Sequence, residues 1–269
     1  MISFVFYASV ERCDNLKQTL RMLEQREKLI DKEIIIVWQD EGPQIENTTS
    51  INLKMDTYRK PKQCNEGVKA ATNKIVALLD SDRILPKNYF AEQSSKLVEK
   101  EFITTTHLLK CKKPYEDHQI DEFKFEGLKE FRSKTIEIQR KNLFSGNTLF
   151  YKKDYLDCGG MDENYVGYGY ADNDMTRTVE KYGCISTYVD CPEIHLWHPV
   201  EINYEGHRLQ MFKIISATNL MYYCKKWQLK DLKAETIIQE VYKNINKFPE
   251  KLQDQFKKAY RFRYGSILH

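Results

Sequence analysis

Lys74-Ile75-Val76-Ala77-Leu78-Leu79 is an apolar run without alternation, and it ends abruptly in Asp80-Ser81-Asp82. A strand that is apolar at every position is covered on both faces, which is the mark of a buried, parallel sheet. Upstream, Ile2 to Ala8 reads as a strand of the same kind. Arg12 to Leu29 follows as a helix, with apolar residues at Leu16, Leu20, Leu23 and Ile30. Glu33 to Asp40 is a second apolar strand that also ends in acid, Leu53 to Tyr58 a third, shorter one, and Cys64 to Thr72 a helix. Strands alternating with helices give a doubly wound, mostly parallel, Rossmann-like α/β sheet. Ligands of such sheets sit beyond the carboxyl ends of the strands, where Ser9 to Arg12, Asp40 and Asp80 to Asp82 fall.

Downstream, the pattern continues with a helix near Pro86 and a strand over Phe102 to Leu109. Lys110 to Lys141 is charged and weakly periodic, and reads as a mobile loop with helical pieces. Asn142 to Tyr151 is a strand, Cys158 to Glu163 a turn, and Ala171 to Tyr182 a helix closed by Gly183. Ile185 to Val189 and Glu193 to Trp197 read as two further strands. From Tyr204 the chain becomes two or three amphipathic helices, with Pro249 at the start of the last.

Composition narrows the class. In 269 residues, 41% hydrophobic and 30% charged side chains exclude fibrous and disordered proteins. The best apolar run, Ile2 to Val10, meets Glu11 and Arg12 long before the roughly 20 residues a spanning helix needs. It also lacks a basic leader, so a cytoplasmic location is expected. Seven Cys without a Cys-x-x-Cys pair read as free thiols. The net charge of +3 hides an excess of 13 cations over 5 anions between Arg208 and His269. That basic tail is either a solvated helical face packed on the preceding domain or a peripheral contact with the inner face of an anionic membrane. No nucleic-acid partner is expected.

Three groups can carry chemistry. Asp80 and Asp82, two apart, can aim at one divalent cation of the Mg²⁺ or Mn²⁺ kind, although Asp-Ser-Asp also reads as a turn. His195 and His198 are nitrogen donors on a segment where three-residue spacing points them to opposite faces unless Pro199 bends the chain. Asp172-Asn173-Asp174 opens a helix, where acid serves the dipole, and also suits a general base at a cleft. Tyr168, Tyr170 and Trp197, beside Gly167 and Gly169, offer flat faces to sugar rings.

Taken in order, these motifs resemble a GT-A fold glycosyltransferase of family 2, with a C-terminal half similar to the galactosyltransferase and chondroitin-polymerase type. The motifs are Arg12-x-x-x-Leu16-x-x-x-Leu20, Asp40, Asn65-x-Gly67, Leu79-Asp80-Ser81-Asp82, Gly159-Gly160-Met161-Asp162-Glu163, Asp172-Asn173-Asp174 and His198. The resemblance implies a catalytic domain over 1–203 and a helical extension over 204–269. Within the domain it implies a nucleotide-sugar half (1–109), the mobile segment (110–141) and an acceptor half (142–203). It implies a nucleotide-sugar donor, with UDP the expected nucleotide, bound by Arg12, Asp40, Asn65, Asp80 and Asp82. It places Mn²⁺ or Mg²⁺ on Asp82 and His198, with His195 a secondary ligand, and a glycan or lipid-linked glycan against Tyr168, Tyr170 and Trp197. Asp172 becomes the base of an inverting displacement, although Ala171 stands where the family often has Glu. A sugar-nucleotide pyrophosphorylase would need a glycine-rich loop after the first strand, and there is no glycine before Gly42. A catalytically inactive scaffold or glycan-binding subunit is the other reading.

Overall fold

In the central strands odd and even residues face different layers, as a pleat of period two requires. In β1 (Ile2–Ala8), Val5 and Tyr7 join one buried cluster, while Ile2, Phe4, Phe6 and Ala8 join another. The same division splits β2 (Lys32–Trp38) and β4 (Ile75–Asp80). The computed structural model describes residues 1–55, 57–121, 135–139, 142–198 and 207–265. The remaining strands are β3 (Thr49–Asn52), β5 (Arg83–Ile84), β6 (Glu101–Cys111), β7 (Thr135–Gln139), β8 (Asn147–Tyr151) and β9 (Ile185–His195). The sheet order is β3-β2-β1-β4-β8-β6-β9-β5, with β7 paired to β6.

β1 runs parallel to β2 and β4, β2 to β3, and β6 to β9. β8 is antiparallel to both β4 and β6 and stitches the first half of the sheet to the second. Two reversals restore direction, so β1, β2, β4, β6 and β9 all present their carboxyl ends at one edge. The doubly wound reading of the sequence holds.

Helices cover both faces. On one lie α1 (Cys13–Arg26) and α3 (Tyr89–Lys96), which bury Leu16, Leu20, Leu23, Tyr89 and Phe90. On the other lie α2 (Lys60–Ala70), α5 (Lys152–Asp157) and α6 (Ala171–Lys181), with Val68, Tyr155, Met175 and Val179 in the core. A short α4 (Asp117–Asp121) sits between β6 and β7. Gly67 lets α2 press on the sheet, since a Cβ there would meet Val5 Cγ1 at 2.3 Å.

The C-terminal segment is helical, as expected: α7 (His207–Lys226), α8 (Leu232–Lys243) and α9 (Glu250–Tyr264). α7 is apolar on two sides. Leu220, Tyr223 and Cys224 enter the main core, while Ile214, Ala217 and Met221 meet Ile238, Val241 and Phe256 in a small core of their own. Asp231 caps α8 by accepting from the Lys233 and Ala234 amides.

Several expectations need correction, among them the helix expected from Cys64, which begins at Lys60, the strand expected from Asn142, which begins at Asn147, and the loop with helical pieces, which holds β7. The third strand lies at Thr49–Asn52 rather than over Leu53 to Tyr58, because a polar edge strand carries no apolar signature. The two strands expected between Ile185 and Trp197 are one, β9, whose register with β6 shifts between Thr105 and His107 and so accommodates Pro192. The long helix foreseen to Leu29 stops at Arg26. Residues 122–134 and 140–141 of the expected mobile segment lie outside the described residues, as do Pro199 and Tyr204.

Candidate active site

A cleft of about 550 Å³ opens at the carboxyl edge of the sheet. β4 delivers Asp80 and Asp82 to its floor, and Thr19 of α1 holds the turn between them by donating to the Ser81 carbonyl at 3.2 Å. The two-residue β5 then pairs with β9, setting Arg83 opposite His195, and the Leu196 amide donates to the Asp82 carbonyl at 2.9 Å. β9 ends at His195, so His198 escapes the alternation that would have turned it away. Asn15 fixes that escape by donating to the Trp197 carbonyl at 3.0 Å.

Both imidazoles therefore converge on one carboxylate. His195 Nε2 is 3.1 Å and His198 Nε2 3.6 Å from Asp82 Oδ2, and the two Nε2 atoms are 3.2 Å apart. The donor atoms of these three residues all lie within 4.8 Å of one another. Among the described residues, Asp82 Oδ1 and His195 Nδ1 are buried without a hydrogen-bond partner. One carboxylate oxygen and two imidazole nitrogens are a donor set that suits a divalent transition metal, so the residues fit the ion the resemblance implied.

Positive charge surrounds the acids. Arg12 Nη1 stands 2.6 Å from Asp82 Oδ2, and Arg83 Nη2 stands 2.6 Å from Asp80 Oδ2. Burial pushes the Asp82 carboxyl up, but His195, Arg83 and Arg12 overcome it and hold the group well below the usual carboxylate range. Burial, with Asp82 as a like charge, carries Asp80 upward despite Arg83. His195 is pushed down to about 4, first by burial and then by Arg83, and is neutral at physiological pH.

Asp172 sits across the cleft in the first turn of α6. Lys60, at the start of α2, reaches its Oδ1 at 2.8 Å, lies 3.8 Å from Asp80 Oδ1 and donates to the Phe144 carbonyl at 2.8 Å. Tyr168, 48% exposed, stacks on Tyr58 with centroids 5.0 Å apart and forms a flat wall.

The chain superposes on GalNAc-T7, solved with UDP, GalNAc and Mn²⁺, at a TM-score of 0.60 and 10% identity, over 97% of this chain and 54% of that one. It superposes on the mannosyltransferase PcManGT from Pyrobaculum calidifontis, in complex with GDP-Man and Mn²⁺, at 0.51 and 13% identity, over 99% and 76%. The protein has the GT-A fold. Residues 127–199 of this GT-A chain also match a family model described as the N-terminal domain of galactosyltransferase. No curated protein matches the chain at a significant level.

Within the GT-A domain the structure brings Arg12, Asp80, Asp82, His195, His198, Asp172 and Tyr168 to one cleft. Four residues expected there do not line it. Asp40 is exposed just beyond β2, where its neighbour Gln39 faces the cleft instead. Asn65 is consumed internally: it donates to the Met161 carbonyl and Glu163 Oε1, and accepts from Tyr155 and the Met161 amide. Gly160, at φ +70°, makes room for this clamp, since a Cβ there would lie 2.6 Å from Asn65 Oδ1. Tyr170 tilts against Tyr223, and Trp197 packs on the cluster beneath β9.

Asp174 has a different task from Asp172. Buried at 1% exposure, it accepts from Lys226 Nζ at 2.8 Å and Trp227 Nε1 at 2.7 Å, and so ties α6 to the end of α7. Lys60 and Arg83 were not anticipated. The signals available were a lysine beside Pro61 at a helix start and a cation directly after Asp-Ser-Asp.

Proposed function

We propose that this protein is a metal-dependent glycosyltransferase that moves a sugar from a nucleotide sugar, with UDP as the nucleotide, to a hydroxyl of a glycan or lipid-linked glycan. The observation that carries the reading is the convergence of Asp82, His195 and His198 on one side of the cleft that holds Asp172 on the other. Two imidazoles among three donors suit Mn²⁺ better than Mg²⁺, which favours oxygen ligands. Such an ion, when bound, offsets the charge of the diphosphate leaving group. Asp172 accepts the proton of the acceptor hydroxyl, and attack from its side inverts the anomeric centre. Lys60, at 2.8 Å, orients that carboxylate. Tyr168 and Tyr58 form the sugar-facing wall.

Hydrolysis of a panel of nucleotide sugars with and without Mn²⁺ tests the reading. Metal-dependent turnover that Asp82→Ala abolishes supports it, and turnover indifferent to Asp82 sinks it. The ion pair between Lys60 and Asp172 favours a second reading, an inactive glycan-binding subunit in which Asp172 is a structural anchor. Under it no nucleotide sugar is turned over although a glycan binds.

The cations of the C-terminal segment suit a lipid-linked acceptor at an anionic, cytoplasmic membrane face. Among the described residues no helix is long and apolar enough to cross a membrane. Sedimentation with anionic against neutral vesicles at low salt decides between peripheral attachment and a soluble acceptor.

A further inference from the structure

Two guanidinium groups converge on Asp82, and they are mounted differently. The Arg83 side chain is 8% exposed and gripped on several sides. It donates to Asp80 Oδ2 from Nε and Nη2, stands 3.3 Å from Asp82 Oδ1, and lies 3.7 Å from Oε1 of the fully buried Glu193. Arg12 is mounted at the cleft, on the single turn Val10–Arg12 that leads into α1, with 21% of its side chain exposed. Its ion pair is with Asp82 Oδ2, the same oxygen that faces His195 and His198. The guanidinium thus holds the carboxylate oxygen that the proposed metal needs.

We propose that Arg12 is a resident counter-cation of the metal site, which neutralises Asp82 until the donor arrives and makes divalent metal bind weakly alone but tightly with a nucleoside diphosphate. This rests on the metal reading given above. An ion held by Asp82 Oδ2 and the two Nε2 atoms would lie within a few ångströms of a like charge, in a site where Asp82 is 3% exposed and screening is poor. A diphosphate relieves the conflict. Its oxygens accept from the guanidinium, drawing it off Asp82, and supply further ligands to the ion. Metal and nucleotide then each strengthen the other's binding by the same factor. Arg83 cannot play this part, because its side chain is buried and its Nε and Nη2 are both committed to Asp80 Oδ2.

The test is Mn²⁺ titration followed by the electron paramagnetic resonance signal of the free ion, on full-length wild type, R12Q, R12K and D82N. Loss of the positive charge in R12Q should tighten Mn²⁺ binding in the absence of nucleotide by roughly tenfold or more, while R12K stays near wild type. Saturating UDP should tighten wild type strongly and R12Q little, closing the gap. An R12Q protein that binds Mn²⁺ alone no better than wild type overturns the proposal, as does a gap that UDP leaves unchanged. D82N separates the two levels of the argument. Mn²⁺ binding that survives in D82N defeats the metal reading itself, whereas binding lost in D82N but unmoved in R12Q defeats only the role of Arg12.

Discussion

Lys60 Nζ lies 2.8 Å from Asp172 Oδ1 and 3.8 Å from Asp80 Oδ1, so one ammonium joins the carboxylate across the cleft to the carboxylate on the floor. Its side chain is 11% exposed. Burial alone would push the Lys60 ammonium down, but Asp172 carries it above its ordinary value.

Lys60→Met should therefore leave two acids without their shared cation and cost about 3 kcal/mol of stability, read as a lower denaturant midpoint. Because Lys60 orients the base, turnover should fall as well, and wild-type turnover in the folded variant would separate Lys60 from the base.

Asp172→Asn keeps the shape and polarity of the side chain but cannot take a proton. Donor affinity, measured by calorimetry with a nucleotide sugar, should survive while turnover falls by roughly 10²-fold or more. The product's anomeric configuration, followed by NMR, should be inverted relative to the donor, and retention would remove Asp172 from the role.

The neighbouring acid should behave in the opposite way. Asp174→Ala strips the partner from Lys226 and Trp227 in a buried setting, with an expected loss of about 3 kcal/mol or more. Mn²⁺ binding by the folded fraction should stay at the wild-type level, because Asp174 does not line the cleft. Thermal unfolding and metal titration on the same sample distinguish it from Asp172.

His195 gives a pH signature. Its folded pKa, about 4, lies below the unfolded value near 6.5, so the unfolded chain binds more protons between those limits. The stability that rests on neutral His195 is complete above pH 6.5 and is lost as pH falls toward 4, by up to about 3 kcal/mol. His195→Gln, which keeps a donor toward Asp82, should lose less stability than wild type between pH 7 and 5. Equal losses in urea titrations would contradict the assignment.

Local pattern sufficed where burial was complete. β1 and β4 lie within a residue of their expected limits, because an unbroken apolar run has few other uses. β3 escaped because an edge strand of Thr, Ser, Ile and Asn has no periodic apolar face. In the cleft, Asp80, Asp82 and Asp172 were legible as acids at strand and helix ends. Of their counter-ions only Arg12 was named, since Lys60 meets a partner more than a hundred positions away and a lysine beside Pro61 at a helix start is a weak mark. Asn65 misled for a related reason. An amide in a motif can serve a ligand or a turn, and only the positions of Tyr155 and Glu163 show that it serves the turn.

The placement of β8 between β4 and β6 bears on how the site comes into being. Asp82 emerges from the ribosome long before His195, and the strand that carries His195 docks chiefly on β6, with only the two-residue β5 on its other edge, and β6 itself needs β8 for its attachment to the first half. The carboxylate must therefore wait through most of synthesis for its partners, with Arg12, made earlier still, already able to shield it. Long-range closure of this kind is slow and comes late. A nascent chain released before β9 would hold an acidic edge without its imidazole donors, and under the proposed metal reading the arrival of metal binding would mark completion of the domain.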